Sequence, residues 1–226
     1  DDIKEPKIPD GIPLSNIEIL RKEKETIGVY ITGHPLDAFQ LEVKNFCSCR
    51  LSDIEKNKGR TVTVAGIITS LSTKADKNGR TYCLFMVEDY SESLQFGLFS
   101  EDYLKFNHFL NVGICVFIKG KVQLKYKSQD SYEIRIAEIQ QLSDIREKLT
   151  KSLTINLSLS DINEKVINDV EKILSRYPGK CLLKVSVFDN VENLKVNLPS
   201  KKIKIEVNDK LIEDLCGIGV TDFKLN

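Results

Sequence analysis

Residues 61–99 decide the fold, and they read TVTVAGIITSLSTKADKNGRTYCLFMVEDYSESLQFGLF. Val, Ile, Leu and Phe are concentrated in three runs of this stretch, which favours β-strands over residues 61–72, 81–88 and 94–99. The turn-forming cluster DKNG at 76–79 separates the first two runs. The stretch therefore predicts three consecutive strands joined by short turns.

The next segment completes a recognisable order of elements. Residues 101–110 carry apolar side chains at helical spacing, and residues 113–123 and 132–142 are again rich in β-forming residues. Three strands, a helix and two more strands are the layout of a five-stranded OB-fold barrel. We therefore predict an OB-fold over residues 51–143.

Two smaller units are predicted to flank this barrel. Residues 1–50 begin with an extended, Pro-rich lead-in and continue as a helical segment, whose apolar residues recur through Ile31. Residues 144–226 alternate short strands with two helices, the first capped at Ser160 and the second at Asn208. The predicted fold class is thus α+β with an all-β part: a helical N-terminal segment, an OB barrel and a small α+β C-terminal domain.

Composition excludes several classes of protein. Among the 226 residues, 33 Lys and Arg balance 33 Asp and Glu, which argues against a polybasic protein that coats DNA but leaves room for a local basic patch. The six Cys form no CxxC pair and only two His are present, so we expect no zinc site, no cofactor and a reducing, cytoplasmic location. No run approaches the ~18 apolar residues of a membrane span. Because the chain begins at Asp1, we expect a piece of a longer protein.

The usual oligonucleotide face of an OB barrel consists of strands 2 and 3, flanked by the loops that join strands 1–2 and 4–5. The two loop regions are rich in cations, and one of them includes an aromatic residue: Lys74, Lys77 and Arg80 in the first, and Lys121, Lys125, Tyr126 and Lys127 in the second. Such a mixture suits single strands, because charge follows the phosphates and rings stack on bases. By pattern alone, lysine-rich hairpin tips are more often plain solvated turns.

Strand alternation predicts which side chains face outward from the barrel. If Cys83, Phe85 and Val87 point inward on the second strand, Tyr82 points outward as a stacking ring or as a packing contact for a neighbouring domain. Gln95 points outward on the third strand, and Gly97 beside it would let a base approach closely. These residues complete the predicted binding face.

One motif resembles a known family. Residues 24–37 read KETIGVYITGHPLD, similar to a stretch that precedes the OB domain of the bacterial replicative DNA polymerase III alpha subunit. FMVED at 85–89 and LQFGLF at 94–99 resemble strands of that OB domain, whereas residues 144–226 match by position and layout. This resemblance favours the binding interpretation of the lysine-rich loops.

The resemblance implies function as well as fold. It implies a barrel that binds single-stranded template DNA, a tail that docks the tau subunit of the clamp loader, and contacts with other holoenzyme subunits through the longer chain. The family's polymerase active site lies upstream, so this stretch is expected to be non-catalytic. The docking face is predicted from four residues near the C-terminus, although the same residues could close the domain's own core: Leu211, Leu215, Val220 and Phe223.

Two alternatives stay open at this stage. The barrel could act purely as a protein-interaction module, or it could be the anticodon-binding OB region of a class II aminoacyl-tRNA synthetase. Residues 144–226 are too short for the catalytic domain of such a synthetase. His34 precedes Pro35 and has no nucleophile or second metal ligand nearby in sequence, which favours a local hydrogen-bonding role.

Overall fold

A computed structural model of the protein describes residues 16–125 and 130–226. The helices are α1 (Asn16–Ile27), α2 (Gln40–Phe46), α3 (Glu101–Phe106), α4 (Leu142–Leu149), α5 (Glu164–Ser175) and α6 (Asp209–Gly217). The strands are β1 (Thr61–Ala75), β2 (Thr81–Glu88), β3 (Ser93–Phe99), β4 (Cys115–Leu124), β5 (Tyr132–Gln141), β6 (Ser152–Ser158), β7 (Pro178–Asp189), β8 (Leu194–Ile205) and β9 (Phe223–Leu225). Short 3-10 helices lie at Pro35–Phe39, Leu51–Asn57, Asn107–Phe109 and Leu159–Asp161.

The first five strands form an antiparallel sheet in the order β3-β2-β1-β4-β5. The long central strand β1 pairs with β4 through its first half and with β2 through its second. A register shift between Ile68 and Ser70 marks a bulge, which bends a strand and allows it to serve both halves of a curled sheet. The predicted OB layout and fold class are confirmed.

The interior of this sheet follows the predicted alternation. Cys83, Phe85 and Val87 are at most 1% exposed, and Phe96 and Leu98 from β3 are buried beside them. The rings of Phe85 and Phe96 stack with centroids 5.6 Å apart. Burying such side chains is the main stabilising contribution to the barrel, because each removes a large apolar surface from water.

The C-terminal unit is a four-stranded sheet in the order β8-β7-β6-β9. Strands β6 and β7 are parallel and joined by α5, whose buried residues pack with α6 on one face of the sheet. The predicted cap at Ser160 is wrong: α5 begins at Glu164, because the Asn163 side chain accepts a hydrogen bond from the Val166 N–H. Residues 194–198 and 202–207, predicted as separate strands, belong mainly to the single strand β8.

The N-terminal helix is shorter than its apolar pattern predicts. It ends at Ile27 because Gly28 takes a left-handed conformation, with φ +88°. Leu20 is buried, but Ile27 and Ile31 are 57% and 62% exposed. The apolar residues that recur through Ile31 therefore form no continuous buried stripe.

Helices α2 and α4 join the barrel to the C-terminal unit. The guanidinium of Arg146 on α4 donates to Glu42 of α2 at 2.6 Å and also to Asp209 at the start of α6. The Asn45 side chain of α2 accepts a hydrogen bond from the Leu225 N–H at 3.0 Å. Helix α4, which the sequence analysis did not predict, crosses the proposed boundary at 143/144, and the division into three domains stays a prediction.

Candidate nucleic-acid interface

A row of three exposed or half-buried side chains crosses the outer face of the barrel. In the antiparallel register, Lys74 of β1 lies opposite Tyr82 of β2, and Tyr82 lies opposite Phe99 of β3. Directly opposed residues project from the same face of a sheet, so the three side chains are neighbours. The two rings stack with centroids 5.6 Å apart and planes inclined by 19°. A cation therefore stands beside a two-ring platform, which we call the Lys74–Tyr82–Phe99 row.

Phe99 was missed by the sequence analysis. Its side chain is 59% exposed, although a phenyl ring has no polar group to favour contact with water. The signal was present, because the alternation that turns Phe96 and Leu98 inward turns Phe99 outward. Composition alone does not separate a strand-terminal Phe that closes a core from one that lies on the outer face.

The structure corrects the expected role of Gly97. A Cβ built at this position would lie 2.9 Å from the Phe99 ring and 3.4 Å from a methyl group of Leu84. The space left by the missing side chain is therefore occupied by Phe99 itself rather than open to a base. Gly97 matters because it lets the Phe99 ring lie close to the sheet beside Tyr82.

The cationic side chains in and beside the β1–β2 turn differ in whether an acidic residue pairs with them. Asp76 accepts hydrogen bonds from the backbone N–H groups of Asn78 and Arg80 at 2.8 and 2.9 Å, and from the Arg80 Nε at 2.9 Å. These bonds, led by the one from the Arg80 backbone, lower the pKa of Asp76 below its ordinary value. Arg80 is thus partly neutralised, whereas Lys74 and Lys77 form no ion pair within the described residues.

Two other residues predicted to bind nucleic acid lie on the same sheet but outside this row. Gln95 is exposed and pairs with Met86, so it shares the outer face. Lys121 pairs with Thr61, at the opposite end of β1 from Lys74, and its other neighbour is the exposed Arg135, which the sequence analysis did not single out. The register thus separates Lys121 from the two rings along β1.

The second predicted loop is described only in part. Lys125 is exposed where β4 leaves the sheet, and its N–H donates to the Ser131 carbonyl at 2.8 Å. Tyr126 and Lys127 lie outside the described residues. Their predicted contact with a nucleic acid therefore stays a prediction from the sequence.

The predicted docking face requires a correction. Leu211 and Leu215 are fully buried, and Val220 and Phe223 are 3% and 4% exposed. All four belong to the core that α5 and α6 form with the sheet. A partner cannot contact these side chains without opening the C-terminal unit, so they close its core instead of offering a surface.

The GHP motif has a local structural role. The His34 Nδ1 accepts from the Leu36 N–H at 3.1 Å, and Asp37 accepts from the His34 N–H at 2.6 Å, which together cap the 3-10 turn at Pro35–Phe39. The ring packs between Tyr30 and Tyr90, and burial lowers its pKa. His34 therefore fixes the path of the chain beside the barrel, as the sequence pattern favoured.

Carboxylates at the end of β2 are likewise structural. Asp89 accepts from the N–H groups of Ser91 and Glu92 and, with its other oxygen, from Leu51, so it shapes the turn before β3. Glu88 forms an ion pair with Lys24. Within residues 16–125 and 130–226, no group of three or more His, Cys, Asp or Glu is arranged to hold a metal ion, and no helix is long and apolar enough to cross a membrane.

The barrel and its outer face place the chain among OB-fold proteins. Residues 62–142 match a family model described as an OB-fold nucleic acid binding domain. Residues 153–226 match the model of the C-terminal domain of the DNA polymerase III alpha subunit. The chain is homologous to the C-terminal region of the DNA polymerase III alpha subunit, which confirms the family resemblance.

Individual relatives agree with these two matches. The chain is 28% identical to the DNA polymerase III subunit alpha of Pseudomonas fluorescens over 73% of its own length and 14% of that protein. It is 24% identical to the same subunit of Escherichia coli O157:H7 over 88% of its length and 17% of that protein. The chain thus spans less than a fifth of these relatives. A solved structure titled "Structure of RecG bound to three-way DNA junction" matches with 23% identity and a TM-score of 0.34, over 60% of this chain and 19% of that one.

Proposed function

We propose that this chain is a non-catalytic C-terminal part of a DNA polymerase III alpha subunit, whose barrel binds single-stranded template DNA in the cytoplasm. The observation that carries the proposal is the Lys74–Tyr82–Phe99 row on strands β1, β2 and β3. Strands β2 and β3 form the face that OB-folds commonly use for oligonucleotides. The parent protein would be a DNA-directed DNA polymerase, with nucleotidyl transfer performed by residues outside this chain.

The chemistry of the row suits a single strand. A base stacked on an aromatic side chain contributes about 1–3 kcal/mol, and every base has a face that can stack. The Tyr82 and Phe99 rings are inclined by only 19°, so they offer nearly parallel surfaces. Lys74 stands beside them, where a phosphate linked to a stacked base can pass. Binding should therefore depend little on the base sequence, because neither ring forms hydrogen bonds with the edges of the bases.

The charge distribution limits the strength of this binding. The whole chain has a net charge of zero, and Arg80 in the nearby turn already pairs with Asp76. Few phosphate contacts are therefore available, and each adds a salt-dependent contribution to the free energy of binding. We expect a dissociation constant of about a micromolar or weaker for the isolated chain, rising with salt concentration.

The test is fluorescence anisotropy of a labelled single strand of about 20 nucleotides, enough to span one OB site. Tyr82→Leu and Phe99→Leu keep apolar side chains on the sheet but remove the stacking surfaces. Each should weaken binding by roughly 1–3 kcal/mol, or about fivefold to more than a hundredfold. Leu104→Ala is the matched control, because Leu104 is also highly exposed but lies on α3.

Two outcomes would contradict the proposal, the first by removing the row from the binding site and the second by removing binding altogether. Equal binding by the wild type and both leucine variants would place the oligonucleotide away from the row. Absence of binding at protein concentrations near 100 times the expected dissociation constant would favour the alternative that the barrel is a protein-interaction module. In that case the barrel would dock protein only.

We further propose that the C-terminal unit docks the tau subunit of the clamp loader, with other holoenzyme subunits contacted through the longer chain. The match of residues 153–226 to the C-terminal domain of the polymerase family favours this role. Purified tau should bind the 226-residue chain in surface plasmon resonance. A chain that binds the oligonucleotide but not purified tau would remove the docking role and leave the template role intact.

A further inference from the structure

Strand β8 is an unprotected edge of the C-terminal sheet. It has one hydrogen-bonded neighbour, β7, and its other side pairs with no strand of the described chain. Ten of its twelve residues are exposed. An edge of this kind presents free backbone N–H and C=O groups, which can pair with an additional strand. The regular part of the edge is 194–198, because Pro199 has no N–H to donate.

One face of this edge carries exposed aliphatic side chains. Leu194, Val196 and Leu198 alternate along β8 and are 62%, 53% and 52% exposed. Leu198 lies opposite Val185 of β7, which in turn lies opposite the fully buried Ile155 of β6. The three aliphatic residues therefore continue the face on which α5 and α6 pack, at a position that these helices do not cover. An uncovered apolar extension of a core face is typical of an interaction site.

Positive charge is concentrated on the same strand. Strand β8 contains four lysines and no acidic residue, although the chain as a whole has zero net charge. None of these lysines forms an ion pair within the described parts of the chain: Lys195, Lys201, Lys202 and Lys204. Lys195 lies on the opposite face from the aliphatic row, because neighbouring residues in a strand alternate. Within 194–198 the face opposite the aliphatic row therefore carries Lys195 and Asn197. The other three lysines follow Pro199, where the pairing of β8 with β7 shifts register.

These features distinguish between possible occupants. A second copy of β8 would add four more lysines and no acidic residue, so the positive charge of the edge would double and none of it would be neutralised. A single strand of DNA would need rings to stack on, but the exposed row is aliphatic. A strand that alternates acidic and apolar residues suits both faces at once. Its acids lie on the side of Lys195 and close to the lysines that follow Pro199, and its apolar residues meet Leu194, Val196 and Leu198.

We propose that the edge of β8 binds an extended segment of a partner protein in which acidic and apolar residues alternate. The segment adds a fifth strand to the four-stranded sheet beside residues 194–198. This proposal rests on the proposed docking role of the C-terminal unit, for which it supplies the surface and the chemistry of the partner. It does not involve the barrel.

The test uses the whole 226-residue chain, labelled with ¹⁵N, and synthetic peptides as probes. The first probe alternates Glu and Val over about eight residues, a common strand length, and the second alternates Lys and Val. The Glu–Val peptide should shift the backbone amide signals of residues 194–198, with an affinity that falls as salt is added. The Lys–Val peptide should bind far more weakly.

A charge reversal tests the contacts directly. Lys195→Glu combined with Lys201→Glu should weaken binding of the Glu–Val peptide about tenfold and strengthen binding of the Lys–Val peptide. The matched control is Lys165→Glu combined with Lys210→Glu, which changes the net charge equally but on α5 and α6. Retained amide dispersion in both variants shows that each is folded, so a lost interaction reports on the edge.

Several results would overturn the proposal. The amides of residues 194–198 could remain unshifted at millimolar peptide, or both peptides could bind equally. The control pair could weaken binding as much as the β8 pair. Oligothymidine that shifts the same amides would make the edge a nucleic-acid site, and a dimer that the Glu–Val peptide dissociates would make it a self-association site. None of these measurements uses tau or the barrel, so failure here is separable from failure of either proposed function.

Discussion

The β2–β3 pair of the barrel and the β7–β8 pair of the C-terminal unit are both antiparallel, but they place their side chains differently. Strand β2 alternates strictly, with Cys83, Phe85 and Val87 buried and their neighbours partly exposed. Strand β8 leaves ten of twelve residues exposed, including aliphatic ones on the core-facing side. A curled sheet covers one face of each strand with its own core, whereas the two C-terminal helices cover only part of an open sheet. Exposed apolar residues therefore mark both proposed binding surfaces, but only on β8 does the core face itself remain uncovered.

The largest expected effect concerns core packing. Phe85→Ala should lower the free energy of unfolding by about 3–5 kcal/mol, because it leaves a cavity next to Phe96 in a closely packed interior. Val196→Ala should change it by no more than about 0.5 kcal/mol, since Val196 is 53% exposed. Urea unfolding of the wild type and both variants measures the two changes in the free energy of unfolding. A similar loss for Val196→Ala would mean that another part of the molecule covers the β8 face in solution.

A smaller effect separates the two lysine-bearing surfaces. Lys74→Ala should reduce the slope of log K against log salt for single-stranded DNA by about 0.7, the value expected for one lost phosphate contact. Lys195→Ala on β8 should leave that slope unchanged, because we expect this strand to bind protein rather than DNA. Anisotropy titrations at several salt concentrations measure both slopes. Equal reductions by the two variants would eliminate the functional distinction between barrel and edge.

The smallest effect concerns the β1–β2 turn. The pKa of Asp76 is lower in the folded chain than its ordinary value of 3.8. The ionised carboxylate therefore stabilises the fold at pH values above 3.8, and this contribution is lost as the pH falls through the lowered pKa. Asp76→Asn removes the charge at every pH. The difference in unfolding free energy between wild type and variant should be small near neutrality, because the site is exposed, and should vanish in strong acid.

The control for this prediction is the backbone of the turn. The amide signals of Asn78 and Arg80 should titrate together in the wild type, since both N–H groups donate to the Asp76 carboxylate. They should be much less sensitive to pH in Asp76→Asn. Independent titration of the two amides would contradict a shared acceptor and would leave Arg80 as free as Lys74 to contact phosphates.

Periodicity predicted the barrel well because each of its strands satisfies a local rule. The run at 81–88 coincides with β2, and its alternation is correct, since burial on one face forces a period of two. Alternation left two inward sets possible, and the set that the family resemblance favoured, Cys83, Phe85 and Val87, is the buried one. The row was predicted in part: Lys74 and Tyr82 were identified, whereas Phe99 was missed and Gly97 was assigned to a base. Deciding between these roles requires the cross-strand register, which no local pattern contains.

Elements that depend on distant partners were predicted less well. The buried Leu211 was predicted as a docking residue, because an apolar helix face looks the same whether it packs inward or awaits a partner. Helix α4 was overlooked because its stability depends on tertiary contacts, including the ion pairs of Arg146 with Glu42 and Asp209. The boundary at 143/144 between the units stays a prediction.

The sequence by itself determined the order of the barrel strands and of helix α3, the alternation of the barrel interior and the family resemblance, since these depend on side-chain type and spacing along the chain. Only the tertiary structure decided that Tyr82 and Phe99 stack, that Arg80 is paired with Asp76, and that the apolar side of β8 stays uncovered. The physical reason is that the pairing and the exposure of a side chain depend on a second part of the molecule. A residue's chemistry sets what it can contact, but the fold decides which neighbour, or how much solvent, it meets.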